Sequence, residues 1–284
     1  MTQAARFREL LRRDGMVVAP GAYDCITARL IERAGFDAVY MTGAGTAATL
    51  GYPDFGLVTM SEMVGNAARI AAAVAVPVIA DADTGYGNEL NVVRTVRAYE
   101  AAGVAALHIE DQGFPKKCGH LDDKEIVPRE DWLAKIRAAA AARSSPYLLV
   151  IARTDARAVA GFEEAIARAN AALGAGADMA FVEAPQTMEE VAEVPRLVAG
   201  PCLLNVVRGG KTPDLDLGEA ERMGYKLAIV PGMLIQTVMA VGEAMLAELA
   251  ATRRHPKPAK EIAVGEIFRL MGADDWDALR TRFR

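Results

Sequence analysis

The string Lys116-Lys117-Cys118-Gly119-His120 sets one thiol among two cations and an imidazole, five residues after the carboxylate pair Glu110-Asp111. Positive neighbours favour a thiolate over a thiol. The residue types therefore predict a Cys118 that exchanges a proton with a reacting carbon near neutral pH. An isolated KKC would read as an incidental thiol beside a solvated charge run. Here the string lies within Gly113 to Asp123, a stretch rich in glycine, proline and charge that follows HIEDQ. Such a loop could close over a bound molecule, deliver a proton and exclude water.

Other chemistry-bearing residues follow short apolar runs: Thr42-Gly43-Ala44-Gly45, Asp81 to Gly87, His108 with Glu110 and Asp111, Arg153-Thr154-Asp155, Glu183 and Asn205. Asp81, Asp83, Glu110 and Asp111 are expected to converge. Clustered carboxylates repel unless a cation or protons compensate, and an all-oxygen set suits magnesium or manganese, completed by waters and substrate oxygens. Arg153 could fork onto a substrate carboxylate or brace the site through Glu110 or Glu183. Asn205 could donate its amide to a substrate carboxylate or cap the next turn. His108, inside an apolar strand, reads as a hydrogen-bonded interior residue. Cys25 and Cys202 read as small hydrophobes, and the Met-rich segment Pro231 to Met245 as packing.

The elements that must position these residues alternate. Eight β-branched runs recur, at Met16 to Ala19, Ala38 to Met41, Pro77 to Ala80, Ala105 to Ile109, Tyr147 to Ile151, Met179 to Val182, Cys202 to Asn205 and Leu227 to Val230. Between most of them lie alanine-rich stretches with helical spacing, such as Ser61 to Ala75, Leu90 to Ala102, Glu130 to Ala142 and Phe162 to Gly174. Glycine-containing joints such as AGFDA, AGVAA and AGADM close helices ahead of strands. Eight such units favour a closed (β/α)8 TIM barrel over an open doubly wound sheet, with chemistry at the carboxyl ends of the strands. No GxGxxG opens a helix after the first strand. No linker divides the chain, so residues 1–284 read as one domain, with 255–284 as a C-terminal arm and helices.

The 284 residues are 52% hydrophobic, enough for a full-sized core. A net charge of −5 supplies no broad basic field for nucleic acid or acidic membrane. Three cysteines form no closed disulfide set and match no zinc spacing, which favours a reducing, cytoplasmic setting. The charge-rich N-terminus has no secretory core, and no uninterrupted apolar run reaches the roughly 20 residues of a membrane span.

In order along the chain, YMTGAG, GYPDFG, ADADTGYG, HIEDQ, KKCGH, ARTDA, FVEAP and LLNVVRGGKTP resemble the isocitrate lyase and phosphoenolpyruvate mutase superfamily. The resemblance implies a (β/α)8 barrel whose eighth helix is exchanged between subunits of a homotetramer. It also implies Mg2+ or Mn2+ at Asp83, with Asp54, Asp81 and Glu110 around it. Thr42, Gly43, Ala44 and Arg153 would bind an α-oxo or α-hydroxy carboxylate, joined by Lys117, Gly119 and Asn205. Lyases of the superfamily carry a cysteine in this loop that protonates the departing carbanion, whereas mutases generally lack it. Cys118 thus points to a retro-aldol lyase in which Lys116, His120 and Asn205 stabilise the leaving enolate. Tyr40, Glu183 and a metal-bound hydroxide are the candidate bases.

Lys117 and Leu121 stand where methylisocitrate lyases resemble one another in carrying arginine, and Arg208 stands where many relatives have glutamate. The chain is also far shorter than isocitrate lyases. A small 2-hydroxy di- or tricarboxylate of the methylisocitrate or dimethylmalate type is the expected substrate. Oxaloacetate hydrolysis or decarboxylation, or phosphonate mutation, is the second expectation, and a non-catalytic metabolite-binding barrel the third.

Overall fold

The computed structural model describes residues 1–284. Its first half runs α1 (Gln3–Arg12), β1 (Val17–Ala22), α2 (Cys25–Arg33), β2 (Val39–Met41), α3 (Gly43–Thr49), α4 (Met60–Ala73), β3 (Val78–Asp81), α5 (Glu89–Ala101), β4 (Ala106–Glu110) and α6 (Arg129–Ala142). It continues with β5 (Leu149–Thr154), α7 (Ala156–Val159), α8 (Phe162–Gly174), β6 (Met179–Val182), α9 (Met188–Leu197), β7 (Cys202–Asn205), α10 (Leu217–Met223) and β8 (Leu227–Val230). Helices α11 (Met233–Thr252), α12 (Val264–Leu270) and α13 (Ala273–Arg282) complete the chain. Two compact units result, Met1–Met233 and Leu234–Arg284.

All eight strands are parallel and pair in sequence order. The sheet closes where β1 meets β8, Val17 opposite Leu227 and Pro20 opposite Val230. The expected closed barrel is what forms. Strands in such a barrel are covered on both faces, so they read as continuous apolar runs, and residues of β2 to β7 are buried throughout. Helix starts follow local chemistry. Asp24 with Thr27, Thr59 with Glu62 and Asn88 with Asn91 form reciprocal capping boxes at α2, α4 and α5.

The N-terminal segment has a role that composition did not reveal. Ala4, Phe7 and Leu10 of α1 join one buried cluster with Val17, Ala38, Ala105, Leu149, Met179 and Leu227, residues at the starts of strands. Helix α1 therefore plugs the amino-terminal mouth of the barrel. Arg8 fixes it there by donating to the Tyr147 and Leu148 carbonyls and to Asp178 at 2.9 Å. The opposite mouth is left for chemistry.

In the second unit, none of the residues of α11, α12 and α13 is buried. Val238, Met239, Leu246, Phe268 and Trp276 are all exposed. By length and composition alone, α11 is apolar enough to cross a membrane, at a mean hydropathy of 1.4. Gln236, Glu243 and Glu248 punctuate it, so it forms no uninterrupted apolar run.

Candidate active site

The carboxyl ends of β2 to β7 assemble the site. Asp81, Glu110 and Asn205 are the last residues of β3, β4 and β7, Arg153 is next to last in β5, and Glu183 directly follows β6. Register sets Asp81 beside His108 and Glu110 beside Arg153. Two of these positions carry backbone strain. Asp83 has φ 46° and Ala184, after Glu183, φ 53°, a region non-glycine residues seldom occupy and which tends to mark functional sites.

The floor is aromatic. Tyr40 stacks on His108 with ring centroids 5.8 Å apart, His108 meets Phe181 edge-on at 5.6 Å, and the Arg153 guanidinium lies 5.2 Å above the Phe181 ring. The Tyr40 hydroxyl is 2.9 Å from His108 Nε2, and Asp81 Oδ1 is 3.7 Å from that nitrogen. Burial pushes His108 down to about 4, so it is a neutral imidazole. Burial, reinforced by Asp81, lifts the Tyr40 phenol well above its ordinary value. The expected hydrogen-bonded interior histidine is present, and its partner is a candidate base.

Arg153 is braced rather than free. Its Nη1 lies 3.1 Å from Glu110 Oε2, its Nε donates to Asp155 Oδ2 at 3.0 Å, and Glu183 Oε2 is 3.7 Å away. Burial opposes its charge, but Asp155, Glu110 and Glu183 outweigh that and hold it firmly protonated. Asn205 neither caps a turn nor stands free. Its Nδ2 donates to both Glu183 oxygens at 3.2 Å, which leaves Oδ1 without a partner. Burial would raise Glu183, yet Arg153 and His120 hold it far below the usual carboxylate range.

Asp111 does not join the other carboxylates. It accepts from Thr154 Oγ1 at 2.6 Å, the Asp155 amide at 2.8 Å and Arg168 Nη1 at 3.1 Å, so it ties β4 to β5 and α8. Adjacent strand residues point to opposite faces, so a site-facing Glu110 sends its neighbour outward. Asp54, Asp81, Asp83 and Glu110 do come to one region, although no three of them close around a single point as ligands. The Lys116 ammonium stands between two of them, 2.5 Å from Asp54 Oδ1 and 2.8 Å from Asp83 Oδ1.

The donor set nevertheless fits a hard cation. Asp83 Oδ1 and both Glu110 oxygens are buried, and each lacks a hydrogen bond of good geometry despite its ion-pair neighbours. Burial lifts Glu110 well above, and Asp83 to about 6, which marks carboxyls short of positive charge. Six carboxylates (Asp54, Asp81, Asp83, Glu110, Asp155 and Glu183) face three fixed cations, Lys116, Lys124 and Arg153. Oxygen donors of this kind suit a hard cation such as Mg2+ or Mn2+.

The KKCGH loop lies closed on the site. A Cβ built on Gly119 would stand 2.5 Å from Arg153 Nη2 and 2.6 Å from Glu183 Cγ, so the lid backbone rests directly on this pair. His120 Nε2 is 3.0 Å from Glu183 Oε1, and its Nδ1 accepts from the Lys211 amide at 3.1 Å. Sequence reasoning missed Lys211 and Lys124 as site residues. Lys211 Nζ pairs with Asp122 at 2.5 Å, and Lys124 Nζ with Asp155 at 2.7 Å. Lys211 lies inside the quoted GGKTP; Lys124 carried no signal beyond its place at the lid's end.

The expectation of a cation-favoured thiolate is overturned. Lys116 points into the carboxylates, and Lys117 Nζ donates to the Asp123 carbonyl. Burial dominates instead and raises the Cys118 thiol above its ordinary value. Leu121 and Arg208, residues expected to tune specificity, are exposed in this closed form, Leu121 at 42%. The α3 start is shaped by Gly43, whose amide donates to Asp81 Oδ2 at 3.2 Å and where a Cβ would overlap that carboxylate. Thr42 caps the helix, and Ala44 stays exposed in its first turn.

Residues 7–250 match the phosphoenolpyruvate phosphomutase family. The chain is 53% identical to 2,3-dimethylmalate lyase of Eubacterium barkeri over 232 residues, 81% of this chain and 80% of that protein. It is 46% identical to 2-methylisocitrate lyase of Aeropyrum pernix over 242 residues, 85% and 78% of the two chains. Its fold is similar to that of oxaloacetate acetylhydrolase in complex with 3,3-difluorooxalacetate, with a TM-score of 0.95, 37% identity and 99% and 96% of the chains covered. The chain belongs to the phosphoenolpyruvate phosphomutase family, within the isocitrate lyase and phosphoenolpyruvate mutase superfamily.

Proposed function

We propose that the protein is a carbon–carbon lyase that cleaves a small 2-hydroxy di- or tricarboxylate, of the dimethylmalate or methylisocitrate type, to an α-oxo acid and a second carboxylate. The observation that carries this reading is the half-buried Cys118, its thiol raised by burial, on a lid resting against Arg153 and Glu183. Cleavage leaves electrons on carbon, and a thiol held protonated is the group needed to quench them.

The substrate carboxylate lies between Arg153 and the start of α3 at Thr42, Gly43 and Ala44, where the helix dipole favours an anion. Asp83, Asp81, Asp54 and Glu110 would hold Mg2+ or Mn2+, which would polarise the oxygen that becomes the carbonyl. Tyr40, whose hydroxyl lies 2.9 Å from His108 Nε2, and Glu183, held ionised by Arg153 and His120, are the candidate acceptors of the substrate hydroxyl proton. The carbonyl forms as the carbon–carbon bond breaks, and the bonding pair leaves as an enolate-like carboxylate. Lys116, His120, Asn205 and the lid residues Lys117 and Gly119 surround that fragment, and Cys118 gives it a proton. Glu183, kept ionised, orients His120 and Asn205.

Turnover of a panel of 2-hydroxy acids, read as pyruvate or glyoxylate release by mass spectrometry, tests the assignment. EDTA should abolish release and magnesium restore it. Cys118→Ser should lower kcat at least 100-fold with KM little changed; normal turnover by this variant would refute the proton-donor role. The likeness to oxaloacetate acetylhydrolase favours a second reading, hydrolysis of oxaloacetate to oxalate and acetate on the same site. Oxalate as the product in the same panel would select it.

The reading extends to assembly. The exposed apolar residues of α11 to α13 suit a second copy of the chain, and we propose a homotetramer that exchanges the C-terminal helix. Three free thiols suit a cytoplasmic setting.

A further inference from the structure

We propose that Lys124 is a positioning residue that makes closure of the Gly113–Asp123 lid follow occupancy of the Arg153 subsite; the proposal rests on the lyase reading above. Lys124 lies one residue beyond the lid, and its ammonium is buried. Nζ donates to the Gly119 carbonyl at 2.5 Å and to Asp155 Oδ1 at 2.7 Å. Asp155 is fully buried and also grips Arg153, through Nε at 3.0 Å and Nη2 at 3.3 Å. One carboxylate is therefore shared between the substrate-binding arginine and the lysine that holds the lid backbone.

The peptide so held is the one that fixes Cys118. Gly119 packs directly against Arg153 and Glu183, with no room for a Cβ, and Cys118 directly precedes it. A substrate carboxylate on Arg153 competes with Asp155 for the guanidinium. Asp155 then turns its charge to Lys124, which is fixed more firmly against Gly119, and the thiol is aimed. With the subsite empty, Arg153 draws on Asp155, and the hold on the lid weakens. A hydrogen bond from a charged donor corresponds to roughly 10- to 100-fold in an equilibrium.

The test reads lid closure without turnover. Wild type, Lys124→Met and Lys124→Arg are treated with iodoacetamide, with and without oxalate and Mg2+, and alkylation of each cysteine is followed by peptide mass spectrometry. In wild type, oxalate should slow Cys118 alkylation about tenfold or more. Lys124→Met should still bind oxalate within a few-fold by calorimetry, yet lose that protection to less than twofold. Lys124→Arg should keep most of it.

Wild-type protection in Lys124→Met overturns the proposal, as does wild type that fails to bind oxalate or binds it without protecting Cys118. If Lys124→Met also opens the buried Cys202 to alkylation, Lys124 merely holds the barrel together, and the proposal again fails. A failure of the lyase reading would look different: intact protection, with no acid in the panel cleaved.

Discussion

Gly119→Ala probes the closed lid with a single methyl group. Gly119 has no left-handed backbone, so alanine adds no conformational strain there. The new Cβ would lie 2.5 Å from Arg153 Nη2 and 2.6 and 2.7 Å from Glu183 Cγ and Cδ. Neither neighbour can yield: Glu110, Asp155 and Phe181 pin Arg153, while His120 and Asn205 pin Glu183. Forcing a methyl group into such packing costs about 1–3 kcal/mol. Each 1.4 kcal/mol is tenfold, so closure should weaken roughly 5- to 150-fold. Because the overlap exists only when the lid is shut, the loss should fall on kcat/KM and leave Tm within about 1 °C. Gly113→Ala is the matched control, since its Cβ would meet nothing nearer than 3.8 Å. Kinetics on the cleaved acid and a thermal melt of both variants decide the matter. Gly119→Ala turning over within twofold of wild type would show that the lid does not rest on Arg153 and Glu183 during catalysis.

Three other outcomes follow from the same geometry. Cys118 must be protonated to donate, and burial raises its thiol, so activity should persist through the ordinary cysteine range and fall only as pH rises through the raised value; a kcat/KM profile collapsing near neutral pH would restore the thiolate picture. Phe7→Ala removes the fully buried plug of the amino-terminal mouth, at a cost of about 3–5 kcal/mol. That should lower Tm by roughly 6–20 °C with kcat unchanged at 25 °C, whereas unaltered melting would deny α1 its sealing role. Light scattering should give the mass of four 30.2 kDa chains, and removal of residues 255–284 should reduce it; a monomeric full-length chain would exclude the assembly.

Much of the barrel is legible in the sequence because its strands are buried on both faces. Runs such as Met179 to Val182, Cys202 to Asn205 and Leu227 to Val230 coincide with β6, β7 and β8. β5 runs from Leu149 to Thr154, beyond the apolar run Tyr147 to Ile151, because Arg153 and Thr154 look like loop residues until the barrel end supplies their partners. Asp81, Asp83, Glu110, Arg153, Glu183 and Asn205 were found because strand ends in a parallel barrel face one mouth. Asp111 was misplaced for want of a side-chain direction, which alternates residue by residue. The plug at Phe7 and the anchor at Lys124 escaped because each depends on partners far along the chain, Lys124 on Asp155 and Phe7 on Leu149 and Met179.

The same distinction explains Cys118. Charge read along a chain assumes that residues near in sequence are near in space, yet Lys116 and Lys117 leave the thiol for Asp54 and Asp83 and for the Asp123 carbonyl. Around the sulfur, burial opposes ionisation, and together with Asp54 and Glu183 it outweighs the His120 backbone amide and Arg153, which favour the thiolate. A nucleophilic cysteine would be poorly served by that setting. A cysteine that must arrive protonated and yield its proton only to a carbanion is well served, because the carbanion is a far stronger base than water. The charge of Lys116 therefore goes to the carboxylates beneath the lid and that of Lys117 to the Asp123 carbonyl, which leaves the thiol in a setting that suits proton donation rather than attack.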